Sequence, residues 1–137
     1  MFKPVIAASA ALTMLVTPVA AEEHGDAHIT KGEAKLAKML EGRVAGEARS
    51  CISTFGSRNI RQIDDTALVY RSGDTIWVNR TRNPESIDDR DVMVIERFSG
   101  STLCRTDQVR TVDRHAGFMT GIIFLDDFVP YRLPEEG

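Results

Sequence analysis

The chain has 137 residues, with 17 Lys and Arg against 20 Asp and Glu and a formal net charge of −3. A mildly acidic chain lacks the net basic surface or basic stripe that phosphate backbones require, which excludes nucleic acid as its main partner. The length suits one domain with a real core, and no internal repeat or low-complexity tract divides it.

The N-terminus reads as an export signal. Lys3 supplies a positive start, Val5 to Val16 form an apolar run, and Pro18 ends that run. Val19-Ala20-Ala21 offers the small residues a signal peptidase reads, so residues 1–21 are expected to be removed before Glu22. The apolar run is too short to span a bilayer, and no later stretch is long enough. Without Lys3, 16 basic residues face the 20 acidic ones.

Residues 22–29 are polar and read as a flexible leader, with a single β-rich domain over 30–137. Thr30 is placed to cap a helix, with Glu33 completing a capping box. The helix is expected over 31–41, carrying Leu36, Met39 and Leu40, with Gly42 ending it. Its narrow apolar stripe suits the domain surface.

The period then changes from helical to alternating. Ile60 to Ile63 is a short alternating run, and Asp64-Asp65-Thr66 a turn. Ala67 to Arg71 and Thr75 to Arg80 are two β-branched and aromatic runs joined by Ser72-Gly73-Asp74, which predicts a hairpin. Alternation puts Leu68 and Tyr70 on one face of the first strand and separates Ile76 and Val78 from Thr75, Trp77 and Asn79 on the second. Residues 81–91 are polar, hold Pro84, and read as an exposed loop. Val92 to Ile95 is continuously apolar and reads as a central strand. Further strands are expected around Thr102 to Cys104, Gln108 to Val112 and, as the last one, Gly121 to Leu125. Five to seven strands at this spacing predict a mainly β fold: a small antiparallel sandwich or partly closed barrel with one N-terminal helix.

Export decides what the cysteines do. In an oxidising compartment, Cys51 and Cys104 are expected to form a disulfide. A redox pair would sit in Cys-x-x-Cys, which is absent, and a Cys nucleophile would need a positioned histidine.

Other candidate chemistry is sparse. His24 and His28, four apart around Asp26, offer a weak site for a borderline divalent metal, although Gly25 loosens the segment. The pairs Asp64-Asp65, Asp88-Asp89 and Asp126-Asp127 lack calcium-loop spacing and fall where turns favour Asp. Tyr70 and Trp77 on adjacent strands could form an aromatic platform, with Arg71 and Arg80 near enough to grip an anion. Asn79-Arg80-Thr81 is formally a glycosylation sequon. His115, beside Asp113 and Arg114, is the one histidine in the body of the domain and the candidate centre of a hydrolytic site. No complete catalytic motif is present, no cofactor is implied, and oligomeric state is not specified.

Ser50-Cys51-Ile52, Ile63-Asp64-Asp65-Thr66, the hairpin from Val69-Tyr70-Arg71 to Val78-Asn79-Arg80, Ser101-Thr102-Leu103-Cys104, Asp107 with Val109, and Phe128-Val129-Pro130-Tyr131 occur in that order. From Cys51 to Tyr131 the chain resembles a family of small exported bacterial proteins that carry a domain of unknown function. The resemblance implies export and a disulfide. It carries no activity or catalytic residue to this chain, and His24 and His28 fall outside it. The resulting expectation is a non-enzymatic, disulfide-stabilised periplasmic module that binds an envelope protein or small ligand.

Overall fold

A computed structural model describes residues 30–54, 60–97 and 100–136. The expected signal (1–21) and leader (22–29), with His24 and His28, lie outside these residues.

Helix α1 (Lys31–Met39) starts where Thr30 Oγ1 accepts the Glu33 N–H at 3.2 Å. The capping box is half formed, because the Glu33 carboxylate pairs with Arg80 instead of turning back to Thr30. Leu40 caps the helix C-terminus, and Gly42 then takes φ +73, a conformation glycine adopts without a Cβ clash.

Ten short strands follow among the described residues: β1 (Val44–Ala45), β2 (Cys51–Ser53), β3 (Ile60–Ile63), β4 (Ala67–Ser72), β5 (Thr75–Asn79), β6 (Val92–Glu96), β7 (Thr102–Cys104), β8 (Gln108–Val112), β9 (Met119–Phe124) and β10 (Phe128–Arg132). They form a five-stranded sheet in the order β1-β10-β5-β4-β3, a three-stranded sheet β6-β8-β9, and the pair β2-β7. All pairings are antiparallel. Among the described residues the fold is therefore mainly β with one α-helix and no closed barrel, consistent with the small antiparallel sandwich.

The five-stranded sheet is covered on both faces. Ala67, Val69, Ile76 and Val78 pack with Leu36 of α1, while Leu68 and Tyr70 turn to the opposite side. There they meet Val109 and Ile123 of the three-stranded sheet and Ile52 and Leu103 of β2-β7. Fully burying one such aliphatic side chain stabilises by roughly 1.5–3 kcal/mol.

Cys51 and Cys104 are disulfide-bonded, with S–S 2.06 Å and Cα–Cα 4.0 Å. They stand directly opposite in β2 and β7. Ladder bonds from Arg105 N–H to Ser50 O and from Thr54 N–H to Ser101 O flank them, which leaves the cysteines at a non-hydrogen-bonded position, where facing strands come closest. The link closes a separation of 53 residues, worth about 4 kcal/mol in the chain-entropy account.

Several sequence expectations are corrected. The chain makes more strands than the five to seven anticipated, because β1 and β2, two and three residues long, are too short to show an alternating pattern. Strand β10 is an additional last strand. Pro130 disguises it, but this residue turns its main chain toward β1, where only its carbonyl is needed, accepting the Gly46 N–H at 2.7 Å. Residues 81–91 are not a wholly exposed loop: Ile87 is buried in the core behind a 3₁₀ turn (Pro84–Ser86), and Thr81 is buried as well. The Val92–Ile95 run is not central. Among the described residues strand β6 lies at the edge of its sheet, with β8 its only neighbour there.

Candidate functional site

Antiparallel alternation fixes which main-chain groups each edge exposes. Asn83 Nδ2 donates to Ile122 O at 2.8 Å, Asn83 Oδ1 accepts the Phe124 N–H at 2.8 Å, and Arg82 N–H donates to Phe124 O. The main chain of Ile122 and Phe124 therefore faces away from β8, and the outer edge of β9 is sealed by a segment that imitates a strand. Residues opposite Ile122 and Phe124 are Arg110 and Gln108, which turn to β6 and its Val94 and Glu96. Met93 and Ile95 are left with their N–H and C=O groups directed off the free edge. No hydrogen bond among the described residues reaches those four groups.

The same reasoning applies to β3. Phe128 exchanges hydrogen bonds with Arg49, so Val129 faces β5, Trp77 faces β4, and Tyr70 faces β5 in return. Val69 then bonds Arg61, leaving Ile60 and Gln62 directed outward. Gln62 Nε2 donates to Asp88 O at 2.8 Å.

These two open edges border one cleft of about 340 Å³. Met93 and Ile95 line one wall, Ile60 and Gln62 the other, and Tyr70 lies between them. The volume falls within the range of small-ligand sites. Arg97, just past the end of β6, and Arg114, in the loop after β8, also line it. Neither is in an ion pair among the described residues. Arg97 Nη1 donates to Thr54 Oγ1 at 2.7 Å, which anchors its guanidinium at the cleft.

The outer face of the same sheet exposes apolar side chains around the Arg110–Glu96 ion pair. Val92 and Val94 are each 43% exposed, Phe124 51%, and Ile122, Phe118 and Met119 join them at the surface. Arg82 lies over the Phe124 ring, 5.7 Å from its centre. A solvated antiparallel face normally carries polar residues at these positions.

The residues singled out in the sequence are placed as follows. Tyr70 and Trp77 are cross-strand partners, but they pack inward. Tyr70 is 3% exposed and its hydroxyl donates to Ser53 O at 3.2 Å, so the pair is core packing with only the Tyr70 flank reaching the cleft. Arg80 is paired with Glu33, and Arg71 donates to Gly73 O at the hairpin turn. Neither lines the cleft. Asn79 of the sequon is 1% exposed; its side chain holds Thr81 N–H and both main-chain groups of Asp126, which closes it to modification.

His115 is exposed, in an open hollow of about 640 Å³ with Asp113, Arg114, Thr120 and Asp88 to Asp91. Three of the four carboxylates there are engaged. Asp113 Oδ1 accepts the N–H groups of His115 and Ala116, Asp91 accepts the Thr120 hydroxyl, and both oxygens of Asp88 hold Arg90. The Arg90 guanidinium, aided by the Arg90 N–H, holds the Asp88 carboxyl down at about 2. Asp64 joins Asp88 and Asp89 in one acidic cluster, which three separate sequence pairs do not reveal; Asp64 Oδ1 accepts the Asp89 N–H at 2.6 Å. Arg90 already neutralises its most acidic member.

Met93, Ile95 and Arg97 escaped sequence reading. Their apolar run looks the same whether a strand is central or at an edge, and only the neighbouring strand order separates the two. No helix among the described residues is long and apolar enough to cross a membrane. No family model matches this chain, and neither do any curated protein or any solved structure.

Proposed function

We propose that this protein is a non-enzymatic binding module of the cell envelope, exported by cleavage after Ala21 and held together by its disulfide. The observation that carries the reading is the apolar strand β6, at an open sheet edge beside a cleft flanked by two arginines that form no ion pair among the described residues. Exposed apolar strand edges invite pairing and are ordinarily blunted by charge, proline or cover, as Asn83 covers β9. Leaving the apolar edge of β6 unblunted fits a surface that another molecule occupies. The signal-like N-terminus, the Cys51–Cys104 link and the resemblance to exported proteins support the location. The partner class is an envelope protein.

A photo-crosslinking residue at Val94, with the same residue at Lys35 of α1 as control, tests this in cells. Adducts at Val94 but not at Lys35, recovered from the envelope fraction, are expected. Adducts at neither position, or equally at both, would overturn the reading.

A further inference from the structure

The free edge of β6 is specific enough to define what enters the cleft. Met93 and Ile95 present two donors and two acceptors at the spacing of one antiparallel ladder. Their side chains point inward and join the core beside Ile60 and Tyr70, so an added strand would be bonded along one side while its own side chains meet Ile60 and Tyr70 together with the polar groups of Gln62 and Thr54. From Asp91 to Arg97 the edge spans about 20 Å at roughly 3.3 Å per residue. The two unpaired cations stand toward opposite ends: Arg97 follows β6, and Arg114 follows β8 near Val112, the partner of Val92.

Resting on the binding-module reading, we infer that the cleft accepts an extended acidic peptide segment of a partner protein, added as a strand to β6 with a carboxylate against Arg97 or Arg114. Asp91 also lines the cleft, but its carboxylate accepts the Thr120 hydroxyl and the two arginines outnumber it, so charge complementarity selects the acidic segment. The far wall selects a single strand. Ile60 and Gln62 of β3 stand across the cleft, whereas a second copy entering by its own β6 would bring its β8 into the space β3 occupies. Nucleic acid does not offer alternating amides, and the chain is net acidic.

The test uses ¹⁵N-labelled protein and a capped peptide with glutamate at both ends and alternating valine and threonine between them. Titration should shift the Met93 and Ile95 amides. At a peptide concentration tenfold above its Kd, their hydrogen exchange should slow about tenfold. N-methylating the internal amides of the peptide should abolish both effects. Replacing its glutamates by glutamine should weaken binding in the parent protein, and that difference should vanish in Arg97→Gln/Arg114→Gln.

An unchanged Met93 and Ile95, or equal binding of the N-methylated peptide, would overturn strand addition. So would protection of these amides that needs no peptide and rises with protein concentration, since the occupant would then be a second copy. If peptide binding fails while Val94 still crosslinks a partner, the binding-module reading stands and this inference alone falls. Failure of both removes both.

Discussion

Strands β4 and β6 begin from nearly the same chemistry and end in opposite situations. Ala67 to Tyr70 in β4 are all buried, between β3 and β5 and beneath both α1 and the second sheet. Val92 to Ile95 in β6 are as apolar, yet they alternate between exposed and half-buried at the edge of a three-stranded sheet. Hydrophobicity therefore selects a strand in both cases but not its place in the sheet. Place follows from partners. The hairpin turn at Gly73 delivers β5 to β4, whereas the segment after β6 leads to β7, which pairs with β2 and leaves the outer edge of β6 open.

The strongest way to sharpen this comparison is to remove core from one strand and surface from the other. Leu68→Ala in β4 should cost about 2–5 kcal/mol, as deletion of a buried leucine does. Val94→Ala in β6 should change stability by no more than about 0.5 kcal/mol, because Val94 is exposed at the surface and outside the core. Urea denaturation of both variants gives the two values, and equal losses would break the contrast.

Reduction of Cys51–Cys104 acts on the layer that continues from β6. It should lower stability by about 4 kcal/mol. At roughly 4–8 °C per kcal/mol for a domain of this size, Tm should fall by about 15–30 °C. Hydrogen exchange should rise in β6 and β8 before it rises in β4. An unchanged melt after confirmed loss of the disulfide would refute its role.

The helix that covers β4 supplies a third test. A Cβ on Gly32 would lie 2.6 Å from Asp64 O and collide with the Thr66 hydroxyl, so α1 approaches the β3–β4 turn too closely for any other residue. Gly→Ala in a helix ordinarily stabilises by up to about 1 kcal/mol. Gly32→Ala should instead destabilise by about 1–3 kcal/mol through overpacking. Thermal melting of the variant decides the sign.

The smallest effect concerns Asp88, in the loop leading to β6. Its carboxyl is held at about 2 in the folded protein, against about 3.9 unfolded, so its contribution is present above pH 4 and fades as pH falls toward 2. Asp88→Asn should flatten the acid limb of the stability curve slightly in that window, and a steeper limb would contradict the Arg90 pairing.

Local elements were legible in the sequence wherever local chemistry determined them. Thr30 marked the helix start, and Gly73 between two β-branched runs marked the β4–β5 hairpin. The pairing of Cys51 with Cys104 followed from compartment rather than from shape. What sequence could not show depends on distant partners. Pro130 hides the last strand, because a proline fits there only through its carbonyl-only role beside β1. Tyr70 and Trp77 looked like a surface platform because alternation gives two faces without saying that both are covered. The cleft itself arises between strands 29 positions apart in the chain, Ile60–Ile63 and Val92–Glu96, and no local pattern reports that approach.

Residue-resolved amide hydrogen exchange of the dilute free protein tests the central claim most directly. Within β6, Val94 N–H should exchange slowly, while Met93 and Ile95 exchange far faster, and Val69 and Tyr70 of β4 should both be slow. Met93 and Ile95 protected to the level of Tyr70 would mean that the edge is already paired, and the open binding strand would be contradicted.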